Sequence, residues 1–285
     1  MLSYQHIYHA GNFADTQKHV LLAKTVAALK NKAPALFVLD THAGRGLYDL
    51  NADEAQKTQE YQNGAPHLWQ SNDPAVQPWA DIVRKYNDGD TLDVYPGSAR
   101  IAKDIAGDAG RAILCELHPG EYAELEKTFT DARNVQVINK DGLTVLAERL
   151  PPQERAGIVI IDPSYELKTD YTAIPRALRS AVKKWPKGVF FVWYPILKGE
   201  PHRAMLTALR KSDVRNVLVS EIRLKQTPEQ GFAMFGTGIA IINPPLPQAA
   251  YEASTQYVAA ALPGEAAADV FFLDNKAINP ETGEI

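Results

Sequence analysis

The sequence contains one cysteine, Cys115, among its 285 residues. A single cysteine excludes an internal disulfide and a cysteine-based zinc site, and it is typical of proteins of the reducing cytoplasm. The chain also lacks a run of about 20 apolar residues, the length that a membrane-spanning helix needs. Residues 1–6 have no apolar core of the kind found in signal peptides. We therefore expect a soluble, cytoplasmic protein without a membrane partner.

Positive charge is concentrated in one segment of a chain whose formal net charge is −4. Residues 176–225 contain twelve Lys and Arg and three acidic residues, a formal charge of +9, which leaves −13 for the rest of the chain. A basic face on an acidic protein still attracts polyanions such as nucleic acid, because the local potential decides binding. The alternative interpretation is that these charges lie on solvated helix faces, and the sequence supports the two interpretations equally.

The most informative motif is Asp162-Pro163-Ser164-Tyr165, which directly follows the apolar run 157–161. A β-branched run of this kind predicts a buried strand that ends in a rigid turn at the carboxyl edge of a sheet. Ligands of open α/β sheets bind at that edge. A carboxylate, a proline-fixed carbonyl and an aromatic ring can together hold a flat heterocycle with an exocyclic amine, and adenine is the obvious candidate.

Strand and helix patterns alternate along the chain, which predicts a doubly wound, mostly parallel sheet. Asn12 is a predicted N-cap of a helix that Pro34 ends. The last two strand patterns suit an antiparallel hairpin at the edge of the sheet. The seven predicted strands are 35–39, 111–115, 135–138, 157–161, 189–194, 216–224 and 238–243.

One main domain, interrupted once, is the predicted organisation. Residues 1–48 contain the N-terminal helix and the start of this domain, and residues 95–274 form its remainder. The polar stretch 49–94 is typical of a small helical insertion. Residues 275–285 are expected to be a flexible tail.

Polar residues follow four of the predicted strands, and the carboxyl ends of parallel strands lie side by side, so we expect these residues to converge. They are Asp40 with His42, Glu116, Asp141 and Asp162. Glu116 can accept hydrogen bonds from both hydroxyls of a ribose. Asp141 can accept one from an adenine amino group, with the Gly142 amide as a neighbouring donor. Together with the glycine loop at Gly44 and Gly46, this set suits an adenosine-containing cofactor.

The spacing favours S-adenosyl-L-methionine over NAD as that cofactor. A dinucleotide site needs a third loop glycine and an acidic residue about 20 positions further on. Here Asp49 stands in place of the third glycine, and Glu116 lies 76 residues after Asp40. We therefore predict the Rossmann-like class I S-adenosylmethionine-dependent methyltransferase fold, with a seven-stranded, mostly parallel sheet and an antiparallel C-terminal hairpin.

The chain also resembles the RlmJ family, in motifs that run in the family's order and spacing from Met1 to about Pro245. The motifs are Met1–His6, His9–Asn12, Lys18-His19, Leu39–Gly44, Tyr95–Ser98, Glu116–Pro119, Asp141-Gly142, Ile161–Pro163 with Lys168–Tyr171, Trp193–Pro195 and Ile242–Pro245. Members of this family are bacterial enzymes that methylate N6 of an adenosine in 23S ribosomal RNA. The resemblance implies that reaction, with free or partly assembled 23S ribosomal RNA as the partner and a monomeric enzyme.

The resemblance also implies roles for individual residues. Asp162 is implied to be catalytic, and Tyr4 to contact the RNA. The residues implied to line the cofactor site are His19, His42, Ser98, Glu116, Asp141 and Gly142. We further expect Lys18, Gly44 and Asp162 to contact the cofactor. Tyr4, His6 and Lys18 are expected to cover the target base.

The predicted catalytic residues are Asp162, Pro163 and Tyr165. The lone pair of adenine N6 is delocalised into the ring and attacks poorly. If the Asp162 carboxylate and the Pro163 carbonyl each accept one N–H, the nitrogen becomes pyramidal and its developing positive charge is stabilised. Tyr165 is expected to stack on the base, worth about 1–3 kcal/mol. A target adenosine inside a helix must be swung out of the stack.

Two positions depart from the family pattern. Ser164 replaces the second proline of the usual Asp-Pro-Pro-Tyr, and Arg45 lies between the loop glycines, where the family can have a small residue. Serine restores an N–H donor and adds a hydroxyl, so the turn is less stiff than with proline. Because Asp162, Pro163 and Tyr165 all remain, we expect activity to be retained.

Four of the seven histidines, at positions 6, 9, 19 and 42, lie in the first 42 residues. Such clustering can indicate a metal site, but without a set of acidic or cysteine partners we predict no metal. Two alternative functions stay open. One is a DNA adenine or protein glutamine methyltransferase, because the same tetrapeptide serves other planar amines. The other is an inactive RNA-binding homologue.

Overall fold

The computed structural model describes residues 4–225 and 234–275. The helices are α1 Phe13–Lys32, α2 Asp53–Thr58, α3 Gln77–Lys85, α4 Ser98–Ala106, α5 Pro119–Thr128, α6 Gly142–Arg149, α7 Asp170–Lys184, α8 His202–Arg210 and α9 Gln248–Ala261. The strands are β1 Leu36–Asp40, β2 Leu47–Asp49, β3 Val94–Pro96, β4 Arg111–Cys115, β5 Val135–Ile138, β6 Ala156–Ile161, β7 Val189–Leu197, β8 Val217–Leu224, β9 Met234–Ile242 and β10 Ala266–Phe272. The predicted tail lies outside the described residues except for Asn275, which ends a 3-10 helix.

Eight of the described strands form one sheet in the order β10-β8-β9-β7-β6-β1-β4-β5. Strands β5, β4, β1, β6 and β7 run parallel, and β9 is antiparallel to both β7 and β8. This arrangement confirms the predicted fold class. The sheet has one strand more than the seven predicted, because β10 pairs antiparallel along the open edge of β8. Its alanine-rich start gives little strand signal, and the edge of β8 supplies the hydrogen bonds that the pattern cannot show.

Helices cover both faces of this sheet. Side chains alternate along β1, so Phe37 and Leu39 pack with α6, α7 and α8, whereas Leu36 and Val38 pack with α1, α4, α5 and α9. This alternation is the period of two that a strand buried on both faces requires. The ends of the strands and the loops that follow them are therefore the parts of the sheet that can carry ligand-binding side chains.

Helix α1 is buried almost all the way around, and its first turns carry polar residues. The predicted cap is confirmed: Asn12 Oδ1 accepts hydrogen bonds from the amides of Ala14 and Asp15, each at 3.0 Å. The helix packs against the sheet on one side and against α3, α4 and α9 on others. Asp15, Lys18 and His19 are consequently removed from water and need partners inside the protein. Among the described residues, no helix is long and apolar enough to cross a membrane.

The segment between residues 49 and 94 forms α2, two short 3-10 helices and α3. Strands β2 and β3 pair antiparallel at its two ends, with Tyr48 opposite Tyr95. Trp79 of α3 is fully buried in a third apolar cluster that also contains Val20 of α1. The segment therefore lies against the N-terminal helix, near the place where that helix begins.

Candidate active site

Four neighbouring strands end at one edge of the sheet with the polar residues predicted to converge. The order β5-β4-β1-β6 places Asp141, Glu116, Asp40 and Asp162 at successive positions along this edge. The predicted convergence is therefore confirmed by strand order. Parallel neighbours lie about 4.8 Å apart, so the edge spans roughly 15 Å, enough for a nucleoside with an attached side chain.

Asp162 is held by Lys18 of helix α1. Lys18 Nζ donates to Asp162 Oδ2 at 2.5 Å and lies 2.7 Å from Asp15 Oδ1. The ammonium also lies over the Trp193 ring, 5.6 Å from its centroid. In the described part of the chain this is the one hydrogen bond that Asp162 makes, and its side chain is 12% exposed. Its other oxygen, Oδ1, is thus available to a ligand.

Asp15 is the centre of a buried polar cluster that the sequence motifs did not reveal. Its Oδ2 accepts from His6 Nε2 at 2.8 Å and from the Gly11 amide at 2.9 Å. His6 Nδ1 in turn is 2.8 Å from the Tyr4 hydroxyl. A continuous path of contacts therefore runs from Tyr4 through His6, Asp15 and Lys18 to Asp162. The spacing Asn12-x-x-Asp15 resembles a helix-start capping box and is the signal from which Asp15 could have been found.

The charges in this cluster stabilise one another. Burial alone lowers the pKa of Lys18, but the Asp15 and Asp162 carboxylates outweigh it and raise that pKa above its ordinary value. Burial raises the pKa of Asp15, but the facing His6, Lys18 and His19 bring it well below the usual range. Lys18 is therefore a permanent cation, shared between two carboxylates.

The predicted stacking residue, Tyr165, points into the protein. It is 4% exposed, and its hydroxyl donates to the Trp193 carbonyl oxygen at 2.7 Å. Its ring lies against Tyr171, with 4.6 Å between centroids. In this conformation the ring of Tyr165 presents no open face to a base, because its hydroxyl donates to an acceptor in the core. Stacking of Tyr165 on a base stays a prediction, and the geometry does not favour it.

The other two motif residues line the turn after β6. Pro163 is buried and Ser164 is half-buried. No hydrogen bond within the described ranges reaches the Pro163 carbonyl oxygen. Asp162 Oδ1 and this carbonyl oxygen are therefore two acceptors of the turn without a hydrogen bond among the described residues.

Glu116, after β4, is positioned by main-chain amides. Its Oε2 accepts from Gly44 at 3.0 Å and its Oε1 from His118 at 2.7 Å. Burial raises its pKa although these two bonds act in the opposite direction. Gly44 has φ +58°, and any Cβ there would collide with the Tyr48 hydroxyl, so the loop needs glycine at this position. The loop glycine and the carboxylate are thereby fixed together.

Asp141 and Gly142 begin helix α6. Asp141 Oδ2 caps the helix by accepting from the Thr144 amide at 2.8 Å, and the side chain is exposed. A Cβ on Gly142 would overlap the Thr41 carbonyl oxygen, so the start of α6 packs directly on the end of β1. The carboxylate therefore stands at the surface beside Glu116.

Of three further predicted residues, Ser98 and Asp40 are buried and His42 is half-buried. Ser98 Oγ donates to Asp40 Oδ2 at 2.6 Å, and burial raises the pKa of Asp40 to about 7. His42 Nδ1 is 2.8 Å from Thr41 Oγ1, and burial lowers the pKa of the histidine.

His19, in helix α1, contacts residues that do not lie at the ends of the four strands. Its Nδ1 is 2.8 Å from the Tyr95 hydroxyl. Its Nε2 is 3.9 Å from Asp15 Oδ1 and has no hydrogen-bond partner among the described residues. The structure thus joins His19 to the Asp15 cluster rather than to the strand ends.

Arg45 of the glycine loop and the N-terminal histidine His9 both have acidic partners. Arg45 makes two hydrogen bonds to Glu121 of α5, at 3.0 and 2.5 Å, which explains why a large residue is accommodated in the glycine loop. His9 Nδ1 lies 2.9 Å from Glu60 Oε2, as His6 does from Asp15. His6 and His9 thus each contact a single carboxylate, which is less than the set of ligands that a metal site needs. These pairs are separate, and no group of three metal-ligating side chains forms within residues 4–225 and 234–275.

The strand order and the polar edge together define a class I methyltransferase fold. A family model described as "Ribosomal RNA large subunit methyltransferase D, RlmJ" matches residues 33–268, and the chain belongs to this family.

Comparisons with individual proteins agree with this family assignment. The chain is 37% identical to the ribosomal RNA large subunit methyltransferase J of Haemophilus influenzae and 36% identical to that of Escherichia coli, in each case across 86% of this chain and 88% of the relative. A crystal structure of a Legionella pneumophila protein superposes with a TM-score of 0.85 at 34% identity, covering 93% of this chain and 98% of that one.

Proposed function

We propose that this protein transfers a methyl group from S-adenosylmethionine to N6 of an adenine base in 23S ribosomal RNA, free or partly assembled. The observation that carries the proposal is the Asp162-Pro163 turn at the end of β6, where two oxygen acceptors are left unused beside the Lys18 ammonium. Family membership supports the substrate class.

The residues at the ends of β4 and β5 fit the adenosine part of the cofactor. Glu116 lies beside the glycine loop with both oxygens already oriented by amides, which suits a ribose diol. The exposed Asp141 carboxylate suits an exocyclic amine, with the Gly142 amide next to it. When bound, S-adenosylmethionine supplies an electrophilic methyl group on a sulfonium.

Asp162 and Pro163 would act on the acceptor nitrogen. One N–H of N6 donates to Asp162 Oδ1 and the other to the Pro163 carbonyl oxygen, which directs the lone pair out of the ring plane. As the new N–C bond formed and the bond from the methyl carbon to the sulfonium sulfur broke, leaving a neutral thioether, positive charge would grow on N6 beside the carboxylate, so these contacts would strengthen in the transition state. The N–H proton then passes to Asp162 Oδ1, whose side chain is 12% exposed, and from there to water.

Lys18 and Asp15 would position the carboxylate rather than react. Lys18 holds Oδ2 and so fixes which oxygen faces the base. Asp15 takes a share of the same ammonium, which keeps Lys18 from neutralising Asp162 completely. Tyr4 and His6, which are linked to Asp15, would then cover the base.

The direct test measures methyl transfer from labelled S-adenosylmethionine to ribosomal RNA, DNA and protein from cells that lack the gene. We expect label in 23S ribosomal RNA, recovered as N6-methyladenosine. Asp162→Ala should lower turnover at least about 100-fold and leave cofactor affinity measurable. Asp131→Ala, at an exposed position outside the site, is the matched control.

Preferential labelling of DNA or protein would support the alternative methyltransferases and refute the RNA substrate. Turnover by Asp162→Ala equal to that of the control variant would refute the assignment of this residue. Tight RNA binding without transfer to any substrate would favour the inactive homologue.

A further inference from the structure

Helices α7 and α8 lie side by side on one face of the sheet and leave an open groove of about 380 Å³ between them. On the α8 side the wall is formed by the small residues Ala204 and Ala208, and on the α7 side by Pro175 and its neighbours. Short side chains on facing helices leave space that larger ones would fill. The groove therefore results from the small side chains at this part of the contact between α7 and α8.

Basic side chains line this groove. Arg176, Arg179 and Lys211 are exposed and border it. Arg179 and Lys183 share the single carboxylate of Asp213, at 3.2 and 3.1 Å. Arg176 and Lys211 form no ion pair within the described part of the chain. Positive charge thus remains unneutralised along the groove, and it belongs to the basic segment found in the sequence.

One end of the groove meets the catalytic turn. Tyr171 lines this end, and its ring lies 4.6 Å from that of Tyr165. Tyr171 is 7% exposed, yet its hydroxyl has no hydrogen-bond partner among the described residues. A buried hydroxyl without a partner is costly unless a ligand completes its bonding. Helix α7 starts at the active edge and runs away from it, so Tyr171 and Arg179 are separated by about 12 Å along the helix.

We propose that this groove binds the sugar-phosphate backbone of the substrate RNA outside the target nucleotide, an inference that rests on the proposed function. Arg176 and Lys211 neutralise two phosphates, and the Tyr171 hydroxyl donates to an oxygen of the backbone nearest the turn. Such contacts carry no sequence information, but they fix the register of the RNA relative to the catalytic residues.

The test compares two unmethylated RNAs. One is a minimal hairpin that contains the target adenosine, and the other is the same hairpin lengthened on both sides. Affinity is measured by fluorescence anisotropy over a range of salt concentrations, and turnover on each RNA is measured alongside. The variant is Arg176→Ala/Lys211→Ala. The control, Lys57→Ala/Arg133→Ala, removes the same charge at exposed positions outside the groove.

We expect the groove variant to bind the long RNA about tenfold more weakly than the control does, with a log-log salt slope that is less steep by about 1.5. Its affinity for the short hairpin, and its turnover on it, should match those of the control. Tyr171→Phe, which keeps the ring, should weaken binding of the long RNA about threefold.

Equal losses on both RNAs, or none on the long one, would overturn the groove assignment while leaving the proposed function intact. Competition by polyglutamate as effective as that by RNA would indicate an acidic protein partner and also overturn it. If the unchanged protein methylates neither RNA, nor intact 23S ribosomal RNA, the proposed function itself fails.

Discussion

The two sides of the active edge are built in different ways. On the acceptor side, Asp162, Lys18 and Asp15 hold one another through charged side chains that come from β6 and α1. On the proposed cofactor side, Glu116 accepts from the main-chain amides of Gly44 and His118, and Asp141 from that of Thr144. The proposed acceptor side therefore depends on contacts between charged side chains, and the proposed cofactor side on contacts with main-chain amides.

This difference has energetic consequences. A buried ion pair is expensive to break, because removal of one partner leaves an unpaired charge, at a cost of about 3–5 kcal/mol. A hydrogen bond from an amide to a partly exposed carboxylate contributes about 1.5–3 kcal/mol. We therefore expect substitutions on the acceptor side to act together and those on the cofactor side to act separately.

Among substitutions that leave Asp162 in place, the largest effect is expected from Asp15→Asn. With this carboxylate gone, Lys18 pairs with Asp162 alone and draws it from its position, and a displacement of about 1 Å can cost about 100-fold in rate. Turnover should fall by that order, while the dissociation constant of S-adenosylmethionine changes less than about threefold. Steady-state kinetics and calorimetry on the variant, with Asp131→Asn as the control, separate the two quantities. A loss of cofactor affinity without a loss of turnover would contradict the positioning role.

Glu116→Gln is expected to have a smaller effect than Asp15→Asn, and to lower cofactor affinity rather than turnover. The neutral amide has one acceptor oxygen where the carboxylate has two, so its NH2 group must face the amide of either Gly44 or His118. Cofactor affinity should fall about tenfold, equivalent to about 1.4 kcal/mol, with turnover at saturating cofactor nearly unchanged. Isothermal titration and a cofactor-saturation curve provide the comparison. If turnover fell as steeply as with Asp15→Asn, the two sides would not be separable.

The smallest effect on activity, and a measurable one on stability, is expected from Asp40→Asn. The ordinary aspartate pKa is 3.8, and burial raises that of Asp40 to about 7. Between these values the folded state binds a proton that the unfolded state has lost. The contribution is fully present below pH 3.8 and is lost as pH rises through 7, at up to about 1.4 kcal/mol per pH unit.

Asparagine carries no such titration, so the variant should gain stability relative to the parent protein as pH rises from about 4 to 7. Urea unfolding at several pH values provides the measurement. Parallel stability curves for the two proteins would show that Asp40 does not titrate in this range.

The sequence predicted the residues at the strand ends better than the contacts between side chains that are distant along the chain. Glu116, Asp141 and Asp162 each follow an apolar run, so their positions depend on strand periodicity and on the rule that parallel strands end at one edge. The bond from Lys18 to Asp162 joins residues 144 positions apart, and no local pattern specifies it. The inward turn of Tyr165 is similar, because its hydroxyl acceptor on Trp193 belongs to another strand.

The pairing of β2 with β3 brings the two ends of segment 49–94 together. Because these ends lie side by side, a change in the segment's length need not alter the register of the central strands. Glu60, inside the segment, nevertheless contacts His9 and Asn12 beside the active edge. Natural variation in size should therefore be tolerated at the far end of this segment and resisted around Glu60, where a deletion would loosen the N-terminal cover of the catalytic cleft.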